Sequence, residues 1–345
     1  MTGRQGESGA PARVRPYVSA WWLPGAHAQT IAGRLLREKD GSFLRRERID
    51  TPDGDFLDLD FTSRATPGNP VVLVLHGLEG SSRRGYALQT YRELDTRGIG
   101  AVGLNFRSCS GEPNRLARSY HSGETGDLAF VLDWLTRRLP GSPIAVIGFS
   151  LGGNVLLKWL GERRDEARAR VVACAAVSVP FDLAECERAL DSTTMGRFYV
   201  RRFLKTLIAK VDAKAHIIGD TIDLARVRAA ASFRAFDDAA TAPLHGFASA
   251  DEYYALSSSA GFLAHVRVPV LVIHAEDDPF MPGERAPLDA IRLNRAFEPV
   301  VTRRGGHVGF IAGSPWAAQY WAEREAAEYL AGRLHAVLDT GNCPA

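Results

Sequence analysis

Residues 144–155, IAVIGFSLGGNV, decide how this 345-residue chain folds. The β-branched, apolar run that opens the stretch is typical of a buried strand, and the apolar residues that close it are typical of a helix. Between them, GFSLG at 148–152 fits the pattern G-x-S-x-G, in which a serine stands on a sharp turn between strand and helix. The flanking glycines allow the strand and the helix to pack closely. The pattern therefore predicts that Ser150 is a nucleophile, with a glycine-rich turn and an inert serine as the alternative.

The composition is that of an ordinary globular protein. Hydrophobic residues make up 46% and charged residues 24%, and a net charge of +2 gives no electrostatic reason to expect nucleic-acid binding. Neither a zinc site nor a disulfide scaffold is expected, because no C-x-x-C spacing occurs among Cys109, Cys174, Cys186 and Cys343. The N-terminus has no apolar core of signal-peptide length, and no run of about 18 apolar residues that could span a membrane occurs in the sequence. We expect a cytoplasmic protein without a transmembrane segment, and the sequence does not indicate its oligomeric state.

Strand and helix signals alternate between residues 71 and 178. Continuous apolar runs such as VVLVL at 71–75 are typical of strands buried on both faces, and amphipathic helices are predicted over 86–97 and 124–139. Ahead of them, alternating residues on both sides of TPDG at 51–54 predict an antiparallel hairpin. The predicted fold class is α/β, with a mostly parallel, doubly wound sheet and an antiparallel N-terminal hairpin.

The alternation fails between 181 and 262, where apolar residues recur at helical spacing. We interpret this segment as a helical cap inserted over the carboxyl end of the sheet; ordinary flanking helices are the alternative. The resulting division is a loose N-terminal tail over 1–16, a first core part over 17–180, the cap over 181–262 and a second core part over 263–345.

Two stretches at the ends of the core carry clustered aromatic residues. The arm at 17–31 has two adjacent tryptophans, Trp21 and Trp22, beside a Pro-Gly turn. We expect the arm to pack its aromatic side chains on the body of the protein; the alternative is that it lines an acyl pocket or touches a membrane surface. At the other end, 315–338 is expected to form one long helix.

Catalytic groups in an open α/β sheet lie at the carboxyl ends of strands, and three further loops meet that condition. In HGLEG at 76–80, the backbone N–H of Leu78 could point at the same place as the N–H of Leu151, so that the two form an oxyanion hole. The loop AEDDPFMP at 275–282 offers carboxylates that could orient a histidine; Asp278 is preferred and Asp277 is the alternative. The loop RGGHVGF at 304–310 holds His307 among glycines, which suits a base that must approach the serine.

These residues suggest a mechanism. His307 would remove the proton of Ser150, which would attack an acyl carbonyl, and water would later release the acyl-enzyme. His76, His121 and His274 are other possible bases, but none lies where the chain order Ser150, Asp278, His307 requires. The chemistry needs no metal and no organic cofactor.

Six stretches together resemble the YheT-like branch of the α/β-hydrolase superfamily. They are WLPGAHAQTI at 22–31, HGLEGSSRRGY at 76–86, NFRSCSGEPNRLARSYHSGET at 105–125, GFSLGGN at 148–154, DDPFMP at 277–282 and RGGHVGFI at 304–311. The match runs in order along nearly the whole chain, and generic hydrolases lack the Trp-Leu-Pro-Gly arm.

The resemblance implies an α/β-hydrolase fold and a serine hydrolase that acts on carboxylic esters, with Ser150, Asp278 and His307 as its catalytic triad. It implies short- to medium-chain acyl esters or monoacylglycerol-like molecules as substrates. Two alternatives stay open from the sequence. One is an acyltransferase in which an alcohol replaces water, and the other is a ligand-binding module that keeps the fold without turnover.

Overall fold

The computed structural model of the protein describes residues 14–340. The predicted loose tail over 1–16 lies mostly outside the described residues, and so does Cys343.

The described residues form ten strands, of which the last two are not predicted from the sequence. In chain order they are β1 Arg45–Asp50, β2 Phe56–Phe61, β3 Val71–Leu75, β4 Gly100–Asn105, β5 Ile144–Phe149, β6 Cys174–Val177, β7 Val270–Ala275, β8 Phe297–Thr302, β9 Ile311–Ser314 and β10 Ala317–Tyr320. In the described part of the chain, β1 to β8 form one sheet in the order β1-β2-β4-β3-β5-β6-β7-β8. The pairs β1/β2 and β2/β4 are antiparallel, and all other pairs in this sheet are parallel. The prediction of a mostly parallel sheet with an antiparallel N-terminal hairpin is confirmed.

Helices alternate with the parallel strands. In chain order they are α1 Gly25–Leu36, α2 Gly85–Asp95, α3 Gly126–Arg138, α4 Leu151–Arg163, α5 Asp165–Arg168, α6 Leu183–Asp191, α7 Thr194–Ala213, α8 Ala215–Ile218, α9 Leu224–Arg228, α10 Phe233–Phe236, α11 Ala242–His245, α12 Ala250–Ser257, α13 Leu288–Leu293 and α14 Trp321–Thr340. A π-helical turn spans Asp237–Thr241 and a 3₁₀ helix spans Ser259–His265.

The sheet is covered on both faces, which explains its continuous apolar strands. The apolar sides of α3 and α4 pack on one face and those of α2 and α14 on the other. Successive residues of β3 divide between the two layers, with Leu73 in the first and Val74 in the second. The carboxyl ends of the strands stay free of these layers, and this edge positions the functional residues.

Segment 181–262 folds into the helices α6 to α12 between β6 and β7. Its apolar residues pack mainly on one another, and this cluster includes Leu190, Val200, Leu204 and Phe236. The helical content agrees with the sequence, whereas the division of the chain into a core and a cap stays a prediction.

The expectation of one helix over 315–338 is wrong. Strands β9 and β10 pair as an antiparallel hairpin, and α14 begins only at Trp321. The hairpin depends on Gly313, whose φ is +79° and where a Cβ atom would collide with the carbonyl oxygen of Ala317. Pro315 has no N–H to donate within a helix, and Trp316 lies in the turn with 85% of its surface exposed.

Candidate active site

Ser150 occupies the turn between β5 and α4. Its φ of 52° and ψ of −121° are rare for a residue with a side chain, and its N–H donates to the carbonyl of Val177 at 2.9 Å. Glycine is required on both sides. A Cβ atom at Gly148 would collide with the carbonyl oxygen of Gly152, and one at Gly152 would lie 2.6 Å from the carbonyl oxygen of Leu75. The close approach of backbone segments therefore explains both glycines of the G-x-S-x-G pattern.

The imidazole of His307 lies between a hydroxyl and a carboxylate. Its Nε2 atom is 2.8 Å from Oγ of Ser150, and its Nδ1 atom is 2.9 Å from Oδ2 of Asp278. Because a carboxylate only accepts hydrogen bonds, the neutral ring carries its proton on Nδ1, and Nε2 is left to accept from the serine hydroxyl. The structure thus brings together the three side chains that the sequence analysis selected from distant loops.

Asp278 is fully buried beneath His307. Burial by itself raises the pKa of this carboxyl. The charge and hydrogen bonding of His307, together with the N–H of Phe280 at 2.8 Å, outweigh burial, so the pKa of Asp278 lies below its usual value. An ionised carboxylate at this position favours the Nδ1–H tautomer of His307 and would stabilise the ring when it gains a second proton.

The neighbouring carboxylate, Asp277, has a different partner. Its Oδ1 atom accepts the N–H of Gly306 at 2.8 Å, one residue before His307. Burial raises the pKa of Asp277. Of the two candidate carboxylates, Asp278 therefore contacts the imidazole of His307. Asp277 contacts the backbone of the loop that carries His307.

The other three candidate histidines have partners away from the serine. Nε2 of His76 accepts the N–H of Phe106 at 3.1 Å, and burial lowers the pKa of His76 to about 3. His274 donates from Nε2 to the carbonyl of Met281 at 2.8 Å. His121 packs against a second half-buried histidine, His245, at a ring distance of 4.4 Å. None of the three has a hydrogen bond to the hydroxyl of the serine.

The loop at 76–80 passes close to the serine. A Cβ atom at Gly77 would lie 3.1 Å from Cβ of Ser150. The backbone N–H groups of Leu78 and Leu151 find no acceptor within residues 14–340. Both donors are therefore available beside the nucleophile, as an oxyanion hole requires, and this role for Leu78 and Leu151 stays a prediction.

Helix α1 holds the loop that carries His307, a function that sequence reasoning missed. The N–H of His307 donates to Oγ1 of Thr30 at 2.9 Å, and Nη2 of Arg37 donates to the carbonyl of Gly309 at 2.8 Å. The only sequence signal was that these residues lie within or next to the unusual arm at 22–31. Polar side chains on one face of a short helix do not by themselves indicate which loop they bind.

The aromatic residues of the arm differ in their surroundings. The ring of Tyr17 packs on Phe310 and Trp321 at centroid distances of 5.8 and 5.1 Å. The indole N–H of Trp22 donates to the carbonyl of Gly313, whereas 76% of the surface of Trp21 is exposed. The prediction that the arm packs its aromatic side chains on the body of the protein therefore holds for Tyr17 and Trp22 and is wrong for Trp21.

A cavity of about 1100 Å³ opens above the serine and the imidazole. Segment 181–262 supplies much of its wall, and most of the side chains that it contributes are apolar or aromatic; they include Leu183, Leu190, Phe203, Leu207, Phe233 and Phe236. Tyr199 and Phe280 stand between this wall and the imidazole, and the ring of Phe280 stacks on that of His307 at 4.0 Å. The cavity can hold a largely apolar molecule with one end at Ser150.

The described part of the chain contains no group of three or more His, Cys, Asp and Glu side chains placed as metal ligands would be. None of its helices combines the length and hydropathy that a bilayer crossing needs.

Sequence comparison places the chain among known proteins. Residues 70–314 match the family model of the alpha/beta hydrolase fold. The chain is 38% identical over 314 residues to the Escherichia coli K12 protein named "Putative esterase YheT", covering 90% of this chain and 91% of that protein. It is 29% identical to mouse phospholipase ABHD3, covering 88% of this chain and 75% of the relative. It is 32% identical to yeast monoacylglycerol lipase, covering 81% of this chain and 63% of the relative.

Solved structures share the fold at low sequence identity. The Pyrococcus furiosus esterase Pf2001 superimposes with a TM-score of 0.55 at 18% identity, covering 93% of this chain and 98% of the esterase. A 2,6-dihydroxy-pseudo-oxynicotine hydrolase gives a TM-score of 0.51 at 16% identity, covering 90% of this chain and 72% of that one.

Proposed function

The chain belongs to the alpha/beta hydrolase family, in its YheT-like branch, and on that basis we propose that it is a serine hydrolase that cleaves carboxylic esters through an acyl-enzyme. The observation that carries the proposal is the line of hydrogen bonds from Oγ of Ser150 through His307 to the buried Asp278. Its hydrogen-bond distances of 2.8 and 2.9 Å are those expected of a nucleophile, a base and an orienting carboxylate.

The first half-reaction forms a covalent ester. Nε2 of His307 takes the hydroxyl proton as Oγ of Ser150 attacks the acyl carbonyl, and the carbonyl π electrons move onto oxygen. The N–H groups of Leu78 and Leu151 stabilise that oxyanion. When the tetrahedral intermediate collapses, the bond to the alcohol breaks and His307 gives its proton to the departing alcohol oxygen.

The second half-reaction restores the enzyme. Water occupies the place of the alcohol, and its oxygen attacks the acyl carbon as His307 removes one of its protons. The resulting tetrahedral intermediate collapses, the bond from the acyl carbon to Oγ of Ser150 breaks, and Oγ recovers the proton from His307. The products are a carboxylic acid and the free enzyme. Asp278 stabilises the doubly protonated imidazole in both halves and keeps the ring oriented.

The apolar lining of the cavity supports acyl esters as substrates, which we propose to be of short to medium chain length and to include monoacylglycerol-like molecules. Its wall from segment 181–262 is mostly apolar, and burial of an acyl chain there gains roughly 0.8 kcal/mol for each methylene removed from water. Specificity constants should therefore rise with acyl length until the chain fills the cavity.

The test is a series of p-nitrophenyl esters from acetate to decanoate, assayed with the wild-type protein and with Ser150→Ala. We expect hydrolysis that depends on chain length in the wild type, and no turnover above background in a variant whose melting temperature is nearly unchanged. Activity that survives in Ser150→Ala would show that another group is the nucleophile.

A further inference from the structure

Three arginine side chains on the wall of the cavity make no salt bridge within residues 14–340. They come from separate parts of the fold: Arg34 from α1, Arg84 from the residue before α2, and Arg202 from α7. All three line the same cavity, where Arg34 and Arg202 are exposed and Arg84 is half-buried. Partial burial of Arg34, together with repulsion from Arg202 and Arg84, lowers its pKa. Like charges gathered in this way repel one another unless an anion lies among them.

Acidic residues of the same cavity wall do not neutralise the cluster. Glu38 pairs with Arg92 at 2.8 Å, and Glu79 pairs with Lys210 at 2.7 Å. Glu187 lies 3.9 Å from Arg234, and Asp237 accepts hydrogen bonds from the hydroxyl groups of Thr241 and Tyr254. The side-chain hydrogen bond of Arg84 goes to a neutral acceptor, the carbonyl of Glu79. The guanidinium groups therefore keep donors available for another acceptor.

Arg34 and Arg202 each lie one helical turn after a residue that contacts the active site. Arg34 is four residues after Thr30 on α1, so the two share a helix face, and Thr30 binds the N–H of His307. Arg202 is three residues after Tyr199, whose ring packs at 5.3 Å on the phenylalanine stacked over the imidazole. The cluster is thus at the end of the cavity where the reaction takes place.

Arg84 is connected to the other side of the active site. Its Nη2 atom donates to the carbonyl of Glu79, the residue that follows the oxyanion donor Leu78. The cavity wall is therefore chemically mixed. Segment 181–262 contributes mostly apolar side chains together with Arg202, and Arg34 and Arg84 enter the wall from α1 and from the residue before α2.

We propose that Arg34, Arg84 and Arg202 form a subsite for a phosphate group on the alcohol portion of the ester substrate. The inference rests on the proposed function, because an acyl chain packed on the apolar side chains of the wall leaves the alcohol portion to the arginines. Guanidinium groups donate paired hydrogen bonds to phosphate oxygens. Three of them match the charge of a phosphate monoester, which approaches −2 at neutral pH, better than the single charge of a carboxylate.

The experiment compares two esters that differ only in the phosphate. These are 1-butyrylglycerol and 1-butyrylglycerol 3-phosphate, and the readout is the ratio of their kcat/KM values. We expect the wild type to prefer the phosphorylated ester, with a preference that decreases as sodium chloride is added. In the double variant Arg34→Gln/Arg202→Gln the ratio should fall about tenfold, mainly through KM of the phosphorylated ester.

The matched control is Arg201→Gln. Arg201 is exposed on the same helix as Arg202 but does not line the cavity. This variant removes one positive charge from the protein, as Arg202→Gln alone does, so it should leave both kcat/KM values close to those of the wild type, whereas Arg202→Gln should lower the ratio. A ratio that falls equally in Arg201→Gln and Arg202→Gln would mean that net charge, and not the subsite, sets the preference, and would overturn the inference.

A second measurement separates a phosphate on the substrate from phosphates of a lipid surface. The wild type and the double variant are sedimented with phosphatidylcholine vesicles that contain phosphatidylglycerol. A loss of vesicle binding in the double variant, with an unchanged ratio for the two soluble esters, would show that the cluster binds a membrane surface and would overturn the substrate subsite.

The remaining outcomes separate this inference from the proposed function. If the wild type hydrolyses 1-butyrylglycerol through Ser150 but shows no preference for its phosphate, the subsite is wrong and the ester hydrolase stands. If the wild type hydrolyses neither ester, nor any p-nitrophenyl ester, the proposed function fails and the subsite fails with it.

Discussion

Gln29 satisfies both main-chain polar groups of Ile311, from a position 282 residues earlier in the chain. Its Oε1 atom accepts the N–H of Ile311 at 2.8 Å, and its Nε2 atom donates to the carbonyl at 3.1 Å. Gln29 is fully buried, so these groups have no access to water if the amide is removed. The contact fixes the end of the loop that begins at Gly305 and carries His307.

Replacing Gln29 with leucine should therefore weaken both stability and activity. Leucine fills a similar volume but leaves the buried N–H of Ile311 without a partner, at a cost of about 1–3 kcal/mol. The carbonyl of Ile311 keeps two other donors, the N–H of Ala20 at 2.9 Å and the hydroxyl of Tyr17 at 3.0 Å. Urea denaturation measures the loss of stability, and kcat for p-nitrophenyl butyrate measures the displacement of His307. The control is Gln89→Leu, because Gln89 is a partly exposed helical glutamine whose side chain, within residues 14–340, donates one hydrogen bond, to Glu93. Equal effects of the two substitutions would contradict a specific role for Gln29.

The two adjacent carboxylates should differ sharply in their effect on turnover. Asp278→Asn places an amide against Nδ1 of His307 and favours the wrong tautomer, so kcat should fall by about 10⁴-fold. Asp277→Asn keeps a carbonyl oxygen that can accept the N–H of Gly306, so it should stay within a few-fold of the wild type. Steady-state kinetics on one p-nitrophenyl ester measures both. A larger loss in Asp277→Asn would reverse the assignment.

Asp237 should make the stability of the folded protein depend on pH, and a substitution of this residue can isolate its contribution. Burial raises its pKa to about 7, although the hydroxyl groups of Thr241 and Tyr254 donate to it and favour the charged form. The folded protein thus binds a proton that the unfolded chain releases near pH 4, and the stability due to this group declines as the pH rises from about 4 to about 7.

The measurement is the melting temperature of the wild type and of Asp237→Asn between about pH 5 and about pH 8. The wild type should lose stability relative to the variant as the pH rises, because asparagine mimics the neutral carboxyl and does not titrate. Parallel pH profiles would show that Asp237 has an ordinary pKa.

The sequence predicts those features of the site that depend on short-range geometry. The glycines around Ser150 are required because backbone atoms approach within contact distance, and such close approaches leave a pattern that can be read locally. The carboxyl ends of parallel strands meet at one edge, so the loops after β3, β5, β7 and β8 could be assigned to one site from their order alone.

Features that depend on contacts across the chain could not be predicted. The buried amide of Gln29 looks like any polar residue on a helix until its partner, Ile311, is known. The hairpin β9–β10 is short and follows a loop, so its strands leave a weak pattern in the sequence. The aromatic residues at 316–321 favoured a helix, but residues 317–320 pair with β9 instead, with Ala318 opposite Gly313. The cluster of Arg34, Arg84 and Arg202 is likewise invisible in a chain whose arginines are scattered throughout.

The most direct test of the central claim is reaction with a fluorophosphonate, followed by peptide mass spectrometry. A fluorophosphonate reacts with a serine hydroxyl that a neighbouring base activates and an oxyanion hole supports. We predict a single adduct on Ser150, abolished in Ser150→Ala and strongly reduced in His307→Gln. No adduct on the folded wild-type protein at any pH, or an adduct on a different serine, would contradict the central claim.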